Sequence, residues 1–178
     1  NSHSSFVNSL KMSNLCQEVT LPTTPINHID DEEGEIALCV LSAINLGEIK
    51  ELNELEGICE NIVRGLDFVI ENQDYPVKAA KKMLKRRSLG VGVTNLAYFL
   101  AKNNLKYEDS QTLNLIDEVF EHIQYYLLKA SVKLAKEYGK CEYFNETKYS
   151  KGILPIDTYN KNVDLLVKRE YKFDWEEL

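Results

Sequence analysis

Ile36-Ala37-Leu38-Cys39-Val40-Leu41-Ser42-Ala43-Ile44-Asn45-Leu46 is apolar on both of its alternating faces. A strand with one wet face alternates apolar and polar residues, whereas a strand covered by helices on both sides reads as a continuous apolar run. The stretch therefore predicts a buried strand over 35–47, of the parallel, helix-covered kind, with Cys39 inside it. That strand decides the fold class as α/β. Upstream, residues 1–34 show no sustained period and are punctuated by Pro22, Pro25 and the acidic stretch Asp30-Asp31-Glu32-Glu33-Gly34, which predicts extended loop structure.

Helical spacing dominates 51–140. Asn53 followed by Glu56 has the form of a capping box, and Leu55, Ile58, Cys59, Ile62, Leu66, Val69 and Ile70 then share a face through about Glu71. A short helix is predicted from Pro76 through the basic cluster Lys81-Lys82-Met83-Leu84-Lys85-Arg86-Arg87, whose charges read as a solvated face. Gly90-Val91-Gly92 lacks the third glycine of a dinucleotide fingerprint and reads as a tight start to a helix carrying Leu96, Ala97, Leu100 and Ala101. The longest helix is predicted from Ser110 to Gly139, with Leu113, Ile116, Phe120, Ile123, Leu127, Leu134 and Tyr138 on its buried stripe. Residues 141–178 read as an irregular, aromatic tail. One strand cannot pair its backbone groups with itself, so strands outside this chain are expected to complete the sheet.

Composition excludes several classes. With 44% hydrophobic and 28% charged residues the chain is globular, and a net charge of -7 argues against wrapping DNA or RNA, which requires many cations to displace counterions. No apolar run approaches the roughly 20 residues that cross a bilayer, and no signal segment opens the chain, so a cytoplasmic protein with no membrane partner is expected. Cys16, Cys39, Cys59 and Cys141 form no CxxC pair, and His3, His28 and His122 show no ligand spacing, so no metal is expected. The chain begins at Asn1 without a Met and stops at Leu178, which reads as an internal fragment cut at both ends.

Ser13-Asn14-Leu15-Cys16-Gln17-Glu18 places a thiol two residues from an amide and two from a carboxylate. In an extended segment Asn14, Cys16 and Glu18 project to one side, offering a nucleophile or hydrogen-atom site, a base and a hydrogen-bonding amide together. Without further context, such a trio is more often plain loop composition than a catalytic site.

Further context is present. Asn1-Ser-His-Ser-Ser-Phe6, Met12-Ser-Asn-Leu-Cys-Gln-Glu18, Leu21-Pro-Thr-Thr-Pro25, Gly34-Glu-Ile-Ala-Leu-Cys39, Asn72-Gln-Asp-Tyr-Pro76, Arg87-Ser-Leu-Gly-Val-Gly92, Gln124-Tyr-Tyr-Leu-Leu-Lys129 and Lys151-Gly-Ile-Leu-Pro-Ile-Asp-Thr-Tyr159 follow one another in order. This succession resembles the middle of the large, catalytic subunit of aerobic class I ribonucleoside-diphosphate reductases, and it spans essentially the whole chain.

The resemblance implies part of a ten-stranded α/β barrel: a finger loop, one or two strands and several long helices. It implies that Cys16 becomes the thiyl radical that takes the 3′ hydrogen atom of the ribose, that Glu18 is the base for the 3′ hydroxyl, and that Asn14, with Ser13 and Leu15 beside it, holds the substrate. Cys39 is implied as a redox-active thiol whose partner lies on an earlier strand outside this chain. The implied partners are a ribonucleoside diphosphate, a small radical-generating subunit that contains the metal, a second large subunit, and thioredoxin or glutaredoxin. The chain itself is expected to bind no cofactor, since the ATP and deoxynucleotide effector sites belong to absent regions. The activity implied is that of an oxidoreductase acting on CH–OH groups with a disulfide as acceptor, the fragment alone being inactive.

Departures from the pattern are Ser5, where the resemblance implies proline, and a short stretch from Phe6 to Met12. Tyr125-Tyr126 imitates the family's radical-relay pair but falls inside the long helix, so it reads as structural. Cys59, on an apolar stripe, reads as core, and Cys141 receives no role. Two other readings compete: a split, non-catalytic piece that acts only by assembly with missing fragments, and an anaerobic glycyl-radical relative, which the ordered segments resemble far less.

Overall fold

The apolar run does form a strand, but a shorter one than its pattern predicts: β1 covers Val40–Asn45, and Cys39 is the residue just before it. The computed structural model describes residues 20–158 and 171–178. The partner of β1 is β2, Leu89–Thr94, in the glycine-rich stretch that predicts a helix start. The Val40 N–H donates to the Ser88 carbonyl at 3.2 Å at one end, and Asn95 Nδ2 donates to Asn45 Oδ1 at 3.0 Å at the other, so the two strands run parallel. A parallel pair needs a long crossover, and 46–88 supplies it. The alternation of Leu89, Val91 and Val93 carries the second strand in spite of its glycines.

Only one face of β1 is buried. Ile44 is 2% exposed, whereas Leu41 on the other face is 55% exposed, so the expectation of two covered faces does not hold among the described residues. The crossover contains α1 (Glu54–Asn72), α2 (Lys78–Lys81) and α3 (Met83–Arg86); α4 (Leu96–Lys102) and α5 (Ser110–Tyr138) follow β2. Short 3-10 turns occupy Glu142–Glu146, Lys148–Lys151, Pro155–Thr158 and Trp175–Glu177, so the described parts of the tail are more ordered than their composition suggests.

The chain divides into two compact units. One comprises the described parts of Asn1–Val40, Asp67–Gly90 and Lys140–Asn160; the other comprises Leu41–Leu66, Val91–Gly139 and the described part of Lys161–Leu178.

The second unit is built on Ile44, Leu46, Leu55, Cys59, Phe99, Leu100, Val119, Ile123 and Tyr126. Leu55, Cys59, Val63 and Leu66 form the buried stripe of its part of α1, the four-four-three spacing of one helix face. On α5 the buried residues are Thr112, Val119, Ile123, Tyr125, Tyr126 and Ala130; of the predicted stripe Ile123 is buried and Ile116 and Leu127 pack partly buried against the core, whereas Leu113, Phe120 and Tyr138 are exposed. Large apolar side chains misled the reading, because the helix docks through Val119 and Tyr126 and carries Thr112 inward by a 2.6 Å hydrogen bond from its hydroxyl to the Lys106 carbonyl.

Three pairs of constant offset fix α1 against α5: Glu56 with Lys129 at 2.6 Å, Glu60 with Lys133 at 2.7 Å, and Arg64 with Glu137 at 2.6 Å. Steps of four residues in the same direction on both helices mean that the two run parallel. Exposed pairs of this kind add little stability and chiefly set register. The first also explains why the predicted capping box is not made: Glu56 is committed to Lys129, and Glu54 accepts the Glu51 N–H instead, at 3.2 Å.

Segment 171–178 packs on α5. The Phe173 ring stacks on Tyr125 with centroids 4.1 Å apart, and Trp175 Nε1 donates to Glu121 at 3.2 Å. Tyr125 and Tyr126 are thus part of an aromatic core, as their helical context predicts.

Candidate active site

Asn14, Ser13, Leu15, Cys16 and Glu18 lie outside the described residues, so the shared face predicted for them stays an expectation. Cys39 is described. It is half-buried and sits at the mouth of β1, not within a covered strand, because ladder pairing begins one residue later at Val40.

The first unit holds the segment leading to Cys39 from several sides. Thr24 and Glu35 exchange backbone hydrogen bonds of 3.0 and 2.9 Å, closing the loop between them. Inside that loop the Asp31 carboxylate accepts from the Asn27 and Glu33 N–H groups at 2.9 and 2.8 Å and from the Gly34 N–H at 3.2 Å. These bonds favour the charged form and hold its pKa down to about 2. Gly34 is required by close approach, since a Cβ there would collide with the Ile26 side chain. Beyond the loop, the Ile36 N–H donates to the Ala79 carbonyl at 3.2 Å and the Val40 N–H to that of Ser88 at 3.2 Å. The stretch that carries Cys39 is therefore tied at both ends to the segment running from α2 to β2.

The basic cluster is not the solvated face it resembles in sequence. The Arg86 side chain is 9% exposed; its Nε and Nη2 donate to the two oxygens of Glu35, and its Nη1 lies 3.2 Å from Glu146. Its guanidinium carbon stands 4.6 Å from the centre of the Tyr143 ring. Burial opposes its charge, but Glu35 and Glu146 outweigh burial and keep it protonated. Arg87 pairs instead with Asp67 at 2.6 Å and Glu71 at 2.7 Å. Only tertiary packing distinguishes these two arginines from Lys85 of the same run and from the nearby Lys78, which make surface pairs with Glu142 and Glu32.

Of the remaining thiols, Cys59 is fully buried and its pKa is pushed up to about 11 by desolvation. Cys141 is half-buried and is raised by the same cause. Neither environment generates a thiolate, the reactive form of cysteine. Among the described residues no group of three or more His, Cys, Asp or Glu could hold a metal ion, and no helix is long and apolar enough to cross a membrane. What the described part offers to chemistry is one thiol, Cys39, at the edge of a strand, carried on a backbone held at both sides. That arrangement suits thiol–disulfide exchange, which needs a fixed sulfur that a second sulfur can approach.

The family model described as the barrel domain of ribonucleotide reductase matches residues 1–178. The ribonucleoside-diphosphate reductase subunit alpha of Haemophilus influenzae is 58% identical over 182 residues, covering 100% of this chain and 24% of that protein. The subunit alpha of Enterobacteria phage T4 is 46% identical over 95% of this chain and 22% of its own length. Among solved structures, the alpha subunit of the class Id ribonucleotide reductase of Actinobacillus ureae matches with a TM-score of 0.63 at 30% identity, over 75% of this chain and 25% of that one. The chain spans about a quarter of the length of the relatives it matches.

Proposed function

Because the chain belongs to the family of ribonucleotide reductase barrel domains, we propose that it is a part of the large subunit of a ribonucleoside-diphosphate reductase and carries the thiol chemistry of its active site. The observation that carries the reading is the match running through every residue from 1 to 178, which includes Asn14, Cys16, Glu18 and Cys39. Cys39 at the edge of β1 is a placement compatible with its part in it.

In this reading Cys16, as a thiyl radical, takes the hydrogen atom from C3′ of the ribose: an S–H bond forms and a C–H bond breaks. Glu18 takes the proton of the 3′ hydroxyl while Asn14, flanked by Ser13 and Leu15, holds the sugar by hydrogen bonding. The 2′ hydroxyl leaves as water. Cys39 and a second thiol outside this chain supply two electrons and two hydrogens and end as a disulfide, after which Glu18 gives its proton back to the 3′ oxygen, the hydrogen on Cys16 returns to C3′ and the radical is restored. The oxidant that first generates the radical belongs to a separate, metal-containing small subunit. A second large subunit, thioredoxin or glutaredoxin as reductant, and ATP or deoxynucleotide effectors bound elsewhere in the large subunit complete the proposed assembly, in the cytoplasm.

The test uses the whole large subunit with its small subunit and a ribonucleoside diphosphate tritiated at C3′. Cys16→Ser is expected to abolish deoxynucleotide formation and, because no C3′–H bond is broken, to release no label. Cys39→Ser is expected to release label to water above the wild-type level, because the cycle stalls before the hydrogen on Cys16 returns to C3′, while deoxynucleotide formation falls to background. Full turnover in Cys16→Ser would overturn the reading.

A further inference from the structure

Two consecutive arginines in the turn before β2 bind separate sets of carboxylates. Arg86 reaches Glu35 and Glu146; Arg87 reaches Asp67 and Glu71 from a backbone held at φ 52°. The residue they deliver together is Ser88, 6% exposed, whose carbonyl accepts the N–H of Val40, next to Cys39. The other partner of Arg86, Glu35, immediately precedes Ile36, whose N–H is the second tie of the Cys39 stretch. Arg86 thus binds the residue that precedes one end of the short span 36–40, on which the thiol sits, and stands two residues before the carbonyl that ties the other end.

We infer that Arg86 is a positioning residue for the reduction: its fork with Glu35 sets where the Cys39 sulfur stands. The inference rests on the reductase reading of Cys39 given above. A buried ion pair is a poor device for stability alone, because desolvating both charges about cancels their attraction and apolar replacements of similar volume often serve as well. What the fork supplies is direction. Two parallel N–H···O bonds fix the distance and the plane of the carboxylate together, which a single ammonium group cannot do. Glu146 and the Tyr143 ring occupy the remaining sides of the guanidinium, so the arginine is itself held.

The experiment compares Arg86→Lys and Glu35→Gln with wild type in the whole large subunit, fully reduced beforehand. Alkylation by iodoacetamide is followed separately for the peptides containing Cys39 and Cys59. Both variants are expected to change the Cys39 alkylation rate about fivefold or more and to speed amide exchange at Val40 about tenfold, leaving Cys59 unreactive as in wild type. Turnover is expected to fall through kcat, with KM for the ribonucleoside diphosphate unchanged. Wild-type rates at Cys39 and Val40 in both variants would overturn the inference, and so would an equal rise at Cys59, which reports general loosening. If Arg86→Lys does not fold, Glu35→Gln decides alone. Cys39→Ser separates the two levels: retained turnover there sinks the role of Cys39 itself, whereas lost turnover beside unchanged alkylation in the arginine and glutamate variants sinks only the positioning.

Discussion

The Sγ of Cys59 on α1 lies 4.0 Å from the carbonyl oxygen of Ile123 on α5, and no part of Cys59 is exposed. Burial raises this thiol from its ordinary value of 9.0 to about 11. A group whose folded pKa is raised lends stability that is complete below its unfolded value and is lost as pH climbs through the folded one. Urea unfolding is therefore expected to show a loss between about pH 9 and 11 in wild type that Cys59→Ala lacks. At neutral pH the same substitution should cost about 1 to 2 kcal/mol through the cavity it leaves. An identical alkaline limb in both proteins would show that the thiol is not the cause.

Asp31 gives the opposite sign. Its carboxyl is lowered from 3.8 to about 2, so its contribution is present above the unfolded value and disappears as pH falls from about 4 toward 2. Asp31→Asn should remove that acid dependence. Amide exchange at Glu33 and Gly34, the N–H groups the carboxylate accepts, measures it: protection in wild type should fall through this window, and in the variant it should be low throughout.

Gly34→Ala tests the loop by packing. With a Cβ forced against Ile26, whose Cα is also only 3.2 Å from that position, the loop between Thr24 and Glu35 must shift. A cost of about 1 to 3 kcal/mol in chemical unfolding is expected, as for other overpacked sites. A change under about 0.5 kcal/mol, the level of an ordinary surface substitution, would mean that Ile26 swings away freely.

Tyr125→Phe separates a structural tyrosine from a radical relay. Among the described residues its hydroxyl makes one long contact, 3.4 Å to Glu177, while its ring stacks on Phe173 and meets Trp175 edge-on. Removing the oxygen should leave reductase turnover within about twofold in the whole enzyme, as expected for loss of one long hydrogen bond. Trp175→Ala, by contrast, should release segment 171–178 from α5, read as a rise in its amide exchange. Abolished turnover in Tyr125→Phe would contradict the packing role.

What could be read in advance depended on how local the deciding physics was. The limits of α5 were legible because Ser110 and Gly139 bracket a long amphipathic stretch, and those of α1 because its apolar spacing ends near Glu71. The buried face of α5 was legible only in part, through Ile116, Ile123 and Leu127, since Val119, Tyr126 and Ala130 are smaller or more polar than the exposed Leu113 and Phe120, and only the surface they meet chooses among them. Strand β2 was hidden by Gly90 and Gly92, which read as breakers when its partner 48 residues earlier is out of view. Arg86 looked like its lysine neighbours because nothing in the basic run announces that Glu35 will be brought to it. Of the candidate site, Cys39 lies among the described residues, and its displacement to the edge of the strand follows from where the ladder to Ser88 begins.

The left-handed backbone at Arg87 has a consequence for how this part of the molecule comes apart. A glycine would adopt φ 52° freely, whereas arginine holds it at a cost of order 1 to 3 kcal/mol, a conformation that persists while Asp67 and Glu71 grip the side chain. Fraying the last turns of α1 lets go of that grip, and the turn then relaxes of its own accord. Helix end and turn should melt together as one cooperative step, with the start of β2 following.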